Sequence, residues 1–507
     1  MRIADWVSLE KGPQREVSAE IDGYRLWYRL PPDHPVERSG DPFLAAAIVP
    51  AMSAAEAVEV DPAMPVSPKL LAELAVLQEI HHSWNPALKI VPVRAAVRAS
   101  APRASGVLSF FSAGVDSTYT LLKHLDEISH LVFIQGFDFF ADGESGRGFT
   151  TADISDLAQL GHKLAVRADP ISSFLRDRLS AGSARLLAEY QASRARPDLL
   201  EGSLATDLDS LIGGPAFYEP RRFARVTLRP ETRRLLETGA GDADPRRLNR
   251  QLLEDAYPLE IAREKSSIYP QAVERNSRFA AALGKTLVAV ETNHFPFGYR
   301  YNLSRNLSQG GALASVAHLL GFPRTLIPSS YAYHQLFPLG SHPLVDPLWS
   351  TEGVEIVHDG GEATRVDKIR TIAGEPRALA NLRVCFRDMN VNCGRCLKCL
   401  RTMIPLALLG AADVPFPPLP PTKDISKMRI TGAIEKSFFQ DNLDLAKTSG
   451  DVRLLRALEA CLRRYERQSL VKEVDRVLLG GRIKRIRQRR AGSGADLQRI
   501  DTTAPAP

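Results

Sequence analysis

Apolar and polar residues alternate along the start of this chain. Val17, Ala19 and Ile21 are spaced by polar residues, Asp22-Gly23 follows, and Tyr24, Leu26, Tyr28 and Leu30 alternate again. Both residues of an Asp-Gly pair tolerate positive φ, so the pattern predicts a β-hairpin. Ser67-Pro68 opens a predicted helix carrying Leu70, Leu71, Leu74, Leu77 and Ile80 on one face, with Ser67 as the cap and Pro68 in the first turn. Residues 1–104 therefore read as a small separate α/β module suited to packing or recognition.

Beyond the linker Ala99–Ser105 the texture changes. Gly106 to Phe111 predicts a buried strand, a turn of Ser and Gly follows, and a helix runs from about Thr118 to Leu125. A second apolar strand is expected over Leu131 to Phe137. Strand, helix, strand at this spacing is a βαβ unit, hence a parallel sheet with helices on its faces. Thr286 to Val290 and Thr325 to Pro328 predict further strands, and Ala312 to Leu320 a small-residue helix. Residues 141–283, rich in Arg, Ala and Leu, read as a helical insertion. The Pro-dense stretch from Ala411 to Pro421 closes the sheet domain near residue 410, leaving 411–507 as a helical appendix with a basic tail.

The charge changes this picture less than it first suggests. Of the net +6, residues 471–507 carry nine Lys/Arg against four Asp/Glu, so the body is close to neutral and offers no support for nucleic-acid binding. The best membrane candidate, Phe43 to Met52, is short and broken by Pro50, and the N-terminus lacks a signal-peptide core. A cytoplasmic protein without a membrane segment is expected.

Two stretches carry chemistry. Ser112-Ala113-Gly114-Val115-Asp116-Ser117 lies between a predicted strand and helix. Small residues there let backbone N–H groups approach an anion at the positive end of a helix dipole. Asp116 can hold a magnesium ion or the loop itself. Gly284-Lys285-Thr286 resembles the end of a Walker A loop, but Phe279 stands where its first glycine belongs. No Gly-x-Gly-x-x-Gly follows a strand.

The second stretch holds four of the five cysteines, Cys385, Cys393, Cys396 and Cys399. Four thiolates at such spacing can close a tetrahedron around Zn²⁺, with Gly394 allowing the tight knuckle. An iron–sulfur cluster of the ferredoxin type would need a cysteine where Met403 stands. Cys461, alone on a later helix, reads as a packing residue.

The first stretch resembles the PP-loop of the ATP pyrophosphatase superfamily, whose pattern is Ser-Gly-Gly-x-Asp-Ser after the first strand, with Ala113 in place of the first glycine. Alanine suits a helix N-terminus but fits poorly if that position needs positive φ. Together with the cysteine spacing, the chain is similar to 7-cyano-7-deazaguanine synthase and its paralogues over residues 105–410, the insertion excluded. Asp346-Pro347-Leu348 and Lys368 resemble the stretch that precedes the cysteines there.

The resemblance implies a Rossmann-like (HUP-type) α/β domain with helices on both faces of a parallel sheet, and a structural Zn²⁺. It implies cleavage of ATP between its α and β phosphates and adenylylation of a carboxylate or amide oxygen on a small-molecule or protein/peptide substrate. Ammonia, an amine or a sulfur donor then displaces AMP. Ser112, Ala113, Gly114, Val115, Asp116 and Ser117 would hold ATP and Mg²⁺, with Asp116, Ser117 and Lys368 in catalytic roles. Removing Asp116 is expected to abolish this chemistry and leave the fold intact.

Asn293 and His294 after one strand, and the paired glycines Gly310 and Gly311 opening a helix, are candidates for a substrate rim, with Arg365 beside them. Arg365 and Lys368 can neutralise phosphate charge. A nucleotide-binding protein without turnover and a tRNA-modifying thiolase are the alternatives.

Overall fold

The computed structural model describes residues 1–135, 268–294, 297, 301, 305–385, 391–430 and 432–478. The chain divides into two compact units, residues 1–141 with 265–469, and residues 142–264 with 470–507. The second unit lies outside the described residues except at 470–478, as do most of the expected insertion and the basic tail.

The first unit is an α/β structure around one ten-stranded sheet, ordered β10-β9-β6-β7-β8-β3-β2-β1-β4-β5. Its strands are β1 (Arg2–Lys11), β2 (Gln14–Ile21), β3 (Tyr24–Leu30), β4 (Val58–Val60), β5 (Val93–Arg94), β6 (Val107–Phe110), β7 (Ile128–Gln135), β8 (Thr286–Thr292), β9 (Arg324–Pro328) and β10 (Glu355–Asp359). The described helices are α1 (Asp41–Ala54), α2 (Pro68–Trp84), α3 (Val115–Lys123), α4 (Ile268–Ala282), α5 (Arg305–Leu320), α6 (Arg365–Ala373), α7 (Pro376–Asn381), α8 (Leu397–Leu408), α9 (Thr422–Ile425), α10 (Ala433–Ser449) and α11 (Val452–Leu478).

The hairpin forms as its alternation predicts, β2 pairing β3 with Ile21 opposite Tyr24, while Asp22 and Gly23 take φ of 46° and 72°. Ser67 caps α2, its hydroxyl accepting from the Leu70 amide at 3.0 Å. Residues 1–104, however, do not build a sheet of their own. β3 pairs antiparallel with β8 through Tyr28 and Arg29, so β1–β5 continue the sheet of the following domain. The reason is an apolar surface shared by both segments. Phe43 to Met52, too short to cross a membrane, forms the buried middle of α1, which packs against α5 in the core that also holds β2 and β3. Among the described residues no helix is long and apolar enough to cross a membrane.

β6 to β10 are all parallel. Successive residues face opposite ways, as the strand period requires. Leu108, Val132, Ile327 and Ile356 enter the core with α1 and α5, whereas Leu131 and Leu326 enter the core with α3, α4, α6, α7 and α8. Counted along the sheet these five strands run in the order third, second, first, fourth, fifth, which is compatible with a Rossmann-like fold. In such sheets ligands bind beyond the carboxyl ends of the two strands where the order reverses, here β6 and β9.

Candidate anion site and metal centre

The stretch Ser112–Ser117 leaves β6 at that reversal. α3 begins at Val115, three residues before the expected start, because Gly114 is its N-cap and the Thr118 amide already bonds the Gly114 carbonyl at 3.0 Å. The first-turn N–H groups of a helix have no intrahelical acceptor, so this turn presents donors. Ser117 holds the loop closed, its hydroxyl accepting from the Ser112 amide at 3.1 Å and donating to the Gly114 carbonyl at 3.2 Å. Ala113 adopts φ 58°, the left-handed region that glycine tolerates best. Its methyl is fully buried in the second core, and its carbonyl accepts from the Arg383 amide at 2.8 Å. Packing thus holds an alanine in a conformation it disfavours.

Asp116 projects from the first turn of α3 toward α6. Its two oxygens meet Lys368 Nζ and Arg365 Nη1, each at 3.3 Å. Lys368 is 1% exposed and also donates to the Ser329 carbonyl at 2.6 Å, tying the end of β9 into the site. Arg365 donates to Thr402 Oγ1 on α8 at 3.4 Å. Burial would raise the pKa of Asp116, but Lys368, Arg365 and Arg401 outweigh it and hold the carboxyl below its ordinary value. Asp116 is therefore the counter-ion of two buried cations.

Arg401 and two aromatic residues were not visible as site residues in the sequence. Arg401 Cζ lies 4.3 Å from the centre of the Phe438 ring, and Arg365 Cζ lies 5.7 Å from the same ring. Tyr331, just beyond β9, stacks on Phe438 at 5.7 Å. Phe438 belongs to α10, so the C-terminal segment supplies one wall of the site. Three cations, Lys368, Arg365 and Arg401, face Asp116, with Glu435 of α10 also near Arg401, which leaves a net positive charge next to a helix N-terminus. Such a cradle suits phosphate.

The remaining candidates lie apart and are occupied by packing. Asn293 spans to β3, accepting from the Trp27 amide at 2.8 Å and donating to the Arg25 carbonyl at 2.7 Å. His294 is buried beside Phe297, and burial pushes its pKa down to about 4. A Cβ on Gly310 would sit 1.7 Å from the Gly340 carbonyl oxygen, and one on Gly311 2.3 Å from that of Ala45. Those glycines let α5 touch its neighbours at Gly340 and Ala45.

The four cysteines do come together, their Sγ atoms all within 4.8 Å of one another. Cys393 and Cys399 are 3.9 Å apart, and Cys385 and Cys396 4.0 Å. A tetrahedral metal with bonds of about 2.3 Å needs edges of about 3.8 Å, so the donor set fits Zn²⁺. The amides of Cys396 and Cys399 each donate to the preceding cysteine sulfur at 3.4 Å, which favours thiolates. Gly394, at φ 68°, makes the knuckle, and a Cβ there would meet Pro417 Cγ at 2.3 Å. Cys396 is also the N-cap of α8, so the cluster anchors the helix that carries Arg401 and Thr402.

No family model, curated protein or solved structure matches this chain.

Proposed function

We propose that this chain is an ATP-dependent, AMP-forming enzyme of the PP-loop type on a HUP-type domain, with a structural Zn²⁺ on Cys385, Cys393, Cys396 and Cys399. The observation that carries the reading is the convergence of Lys368, Arg365 and Arg401 with the first turn of α3 at the strand-order reversal. The α3 amides and Ser112 receive phosphate oxygens. Arg365 and Lys368 neutralise the charge that grows on the departing pyrophosphate. Asp116 is the carboxylate that would hold Mg²⁺, and without nucleotide it keeps both cations in place. The acceptor is a carboxylate or amide oxygen of a small molecule or a protein/peptide, and ammonia or an amine displaces AMP.

Sulfur transfer is disfavoured. Four cysteines fit a metal, and Cys461 is buried, donates to the Met428 carbonyl at 3.5 Å and has its pKa pushed up to about 11 by burial. The left-handed Ala113 favours a second reading, a nucleotide-binding protein without turnover.

The test is incubation of the chain with ATP, Mg²⁺, ammonium and a panel of carboxylates, with nucleotide products resolved chromatographically. AMP and pyrophosphate support the enzyme. ADP and inorganic phosphate would refute it, and tight ATP binding with no AMP from any acceptor selects the second reading.

A further inference from the structure

We propose that Arg401 is a phosphate-binding residue of this pocket, and that the four-cysteine centre sets pocket affinity by fixing the rotation of α8. Among the described residues no carboxylate or carbonyl accepts from the Arg401 guanidinium, and its Nε is buried without a partner. Of the two carboxylates near Arg401, Asp116 spends its two oxygens on Lys368 and Arg365, and Glu435 on α10 makes no hydrogen bond or ion pair with the guanidinium. A guanidinium carries five donors in a planar fork, and leaving its Nε buried and unpaired is costly unless an anion arrives, while the half-buried end of the fork can face one. Phe438 holds the group by its ring face at 4.3 Å, which steadies a cation and offers it no acceptor. Arg365 touches the same ring, so both guanidinium groups border one space.

The link to the metal is helical geometry. Cys396 caps α8 and Cys399 lies in its first turn, facing the sheet core. Arg401 follows Cys399 by two residues, about 200° around the helix, and so points away from the sulfurs toward Phe438. Thr402, one residue further, accepts from Arg365. A rotation of α8 that loosened the cysteine cluster would withdraw both groups from the pocket. The identity of the anion as the phosphates of ATP rests on the proposed function; the binding of pyrophosphate by Arg401 does not.

The experiment is calorimetric titration of the full chain with inorganic pyrophosphate, alongside metal analysis and thermal melting. Arg401→Gln should weaken pyrophosphate about 10- to 100-fold, the loss of one charged donor group, with metal content unchanged. Arg401→Lys should recover part of that loss, because it restores charge without the fork. Removing the metal with a chelator, under conditions where circular dichroism shows the helices retained, should weaken pyrophosphate by a similar factor. Pyrophosphate affinity unchanged in Arg401→Gln would overturn the assignment, and unchanged affinity in the folded metal-free chain would overturn the coupling. Pyrophosphate binding that follows Arg401, in a chain that never forms AMP, sinks the enzymatic reading and leaves this inference standing.

Discussion

Replacing Asp116 by Asn should destabilise the protein and make it responsive to added anion. Asn keeps the volume but not the charge, so Lys368 and Arg365, 1% and 6% exposed, lose their common counter-ion. Breaking a buried ion pair by removing one partner costs about 3–5 kcal/mol. The Asp116 side chain is 22% exposed, and Lys368 keeps the Ser329 carbonyl at 2.6 Å, so the cost is discounted to about 2–3 kcal/mol. In a unit of this size that is a fall in melting temperature of about 3–4 °C. Pyrophosphate at one hundred times its dissociation constant adds about 2.7 kcal/mol of stability. It should raise the melting temperature of Asp116→Asn more than that of the wild type, since the anion replaces the missing charge. The pH dependence has a definite sign. The folded-state pKa of Asp116 lies below the ordinary 3.8, so its contribution is complete above that value and drains away as pH falls through the depressed pKa. The variant should lack this part of the acid loss. Differential scanning calorimetry with and without pyrophosphate reads all of it. A variant that melts like the wild type, or gains no more from pyrophosphate, would refute the account of Asp116 as the counter-ion of an anion pocket.

The purified chain should carry about one zinc, and Cys396→Ser should lose the metal and lower folding yield; iron with acid-labile sulfide in elemental analysis would contradict this. Gly310→Ala should cost about 3 kcal/mol or more in denaturant melts, because its Cβ would sit 1.7 Å from a backbone oxygen that cannot swing aside; a loss below about 1 kcal/mol would contradict the close packing of α5. Ala113→Gly should leave stability within about 1 kcal/mol, since relief of the left-handed strain at φ 58° offsets a lost buried methyl; an ordinary buried Ala→Gly loss would show that position is unstrained. Glu352 accepts from the Lys69 amide at 2.9 Å and the Ser100 amide at 3.2 Å. These bonds and one from Ser67 outweigh partial burial and hold its pKa near 2, against an ordinary 4.5. Its contribution, under about 1 kcal/mol after solvent screening, is present above pH 4.5 and lost toward pH 2, and Glu352→Gln should flatten the acid limb of the stability curve by that amount.

Local chemistry was legible wherever neighbours in sequence decide the outcome. The Asp22-Gly23 hairpin, the Ser67 cap, the βαβ texture after Gly106 and the cysteine cluster were each written in a few consecutive residues, because turn conformation, capping and ligand spacing are short-range properties. The α3 start moved to Val115 for the same kind of reason, an N-cap glycine that a purely apolar pattern does not mark. Contacts between distant segments were another matter. Nothing near Tyr28 signals that β3 will pair with β8 some 260 residues on, so the first hundred residues read as a separate module until the edge was seen to be shared. The close packing at Gly310 and Gly311 was hidden too, because sequence cannot reveal the backbone of Gly340 and Ala45 lying against them. Arg401 and Phe438 were silent for the converse reason: an arginine beside a zinc knuckle and a phenylalanine on an amphipathic helix are ordinary residues in isolation. Only the packing of α8 and α10 against each other and against α6 brings them to Asp116, where burial removes water and makes each unpaired charge count.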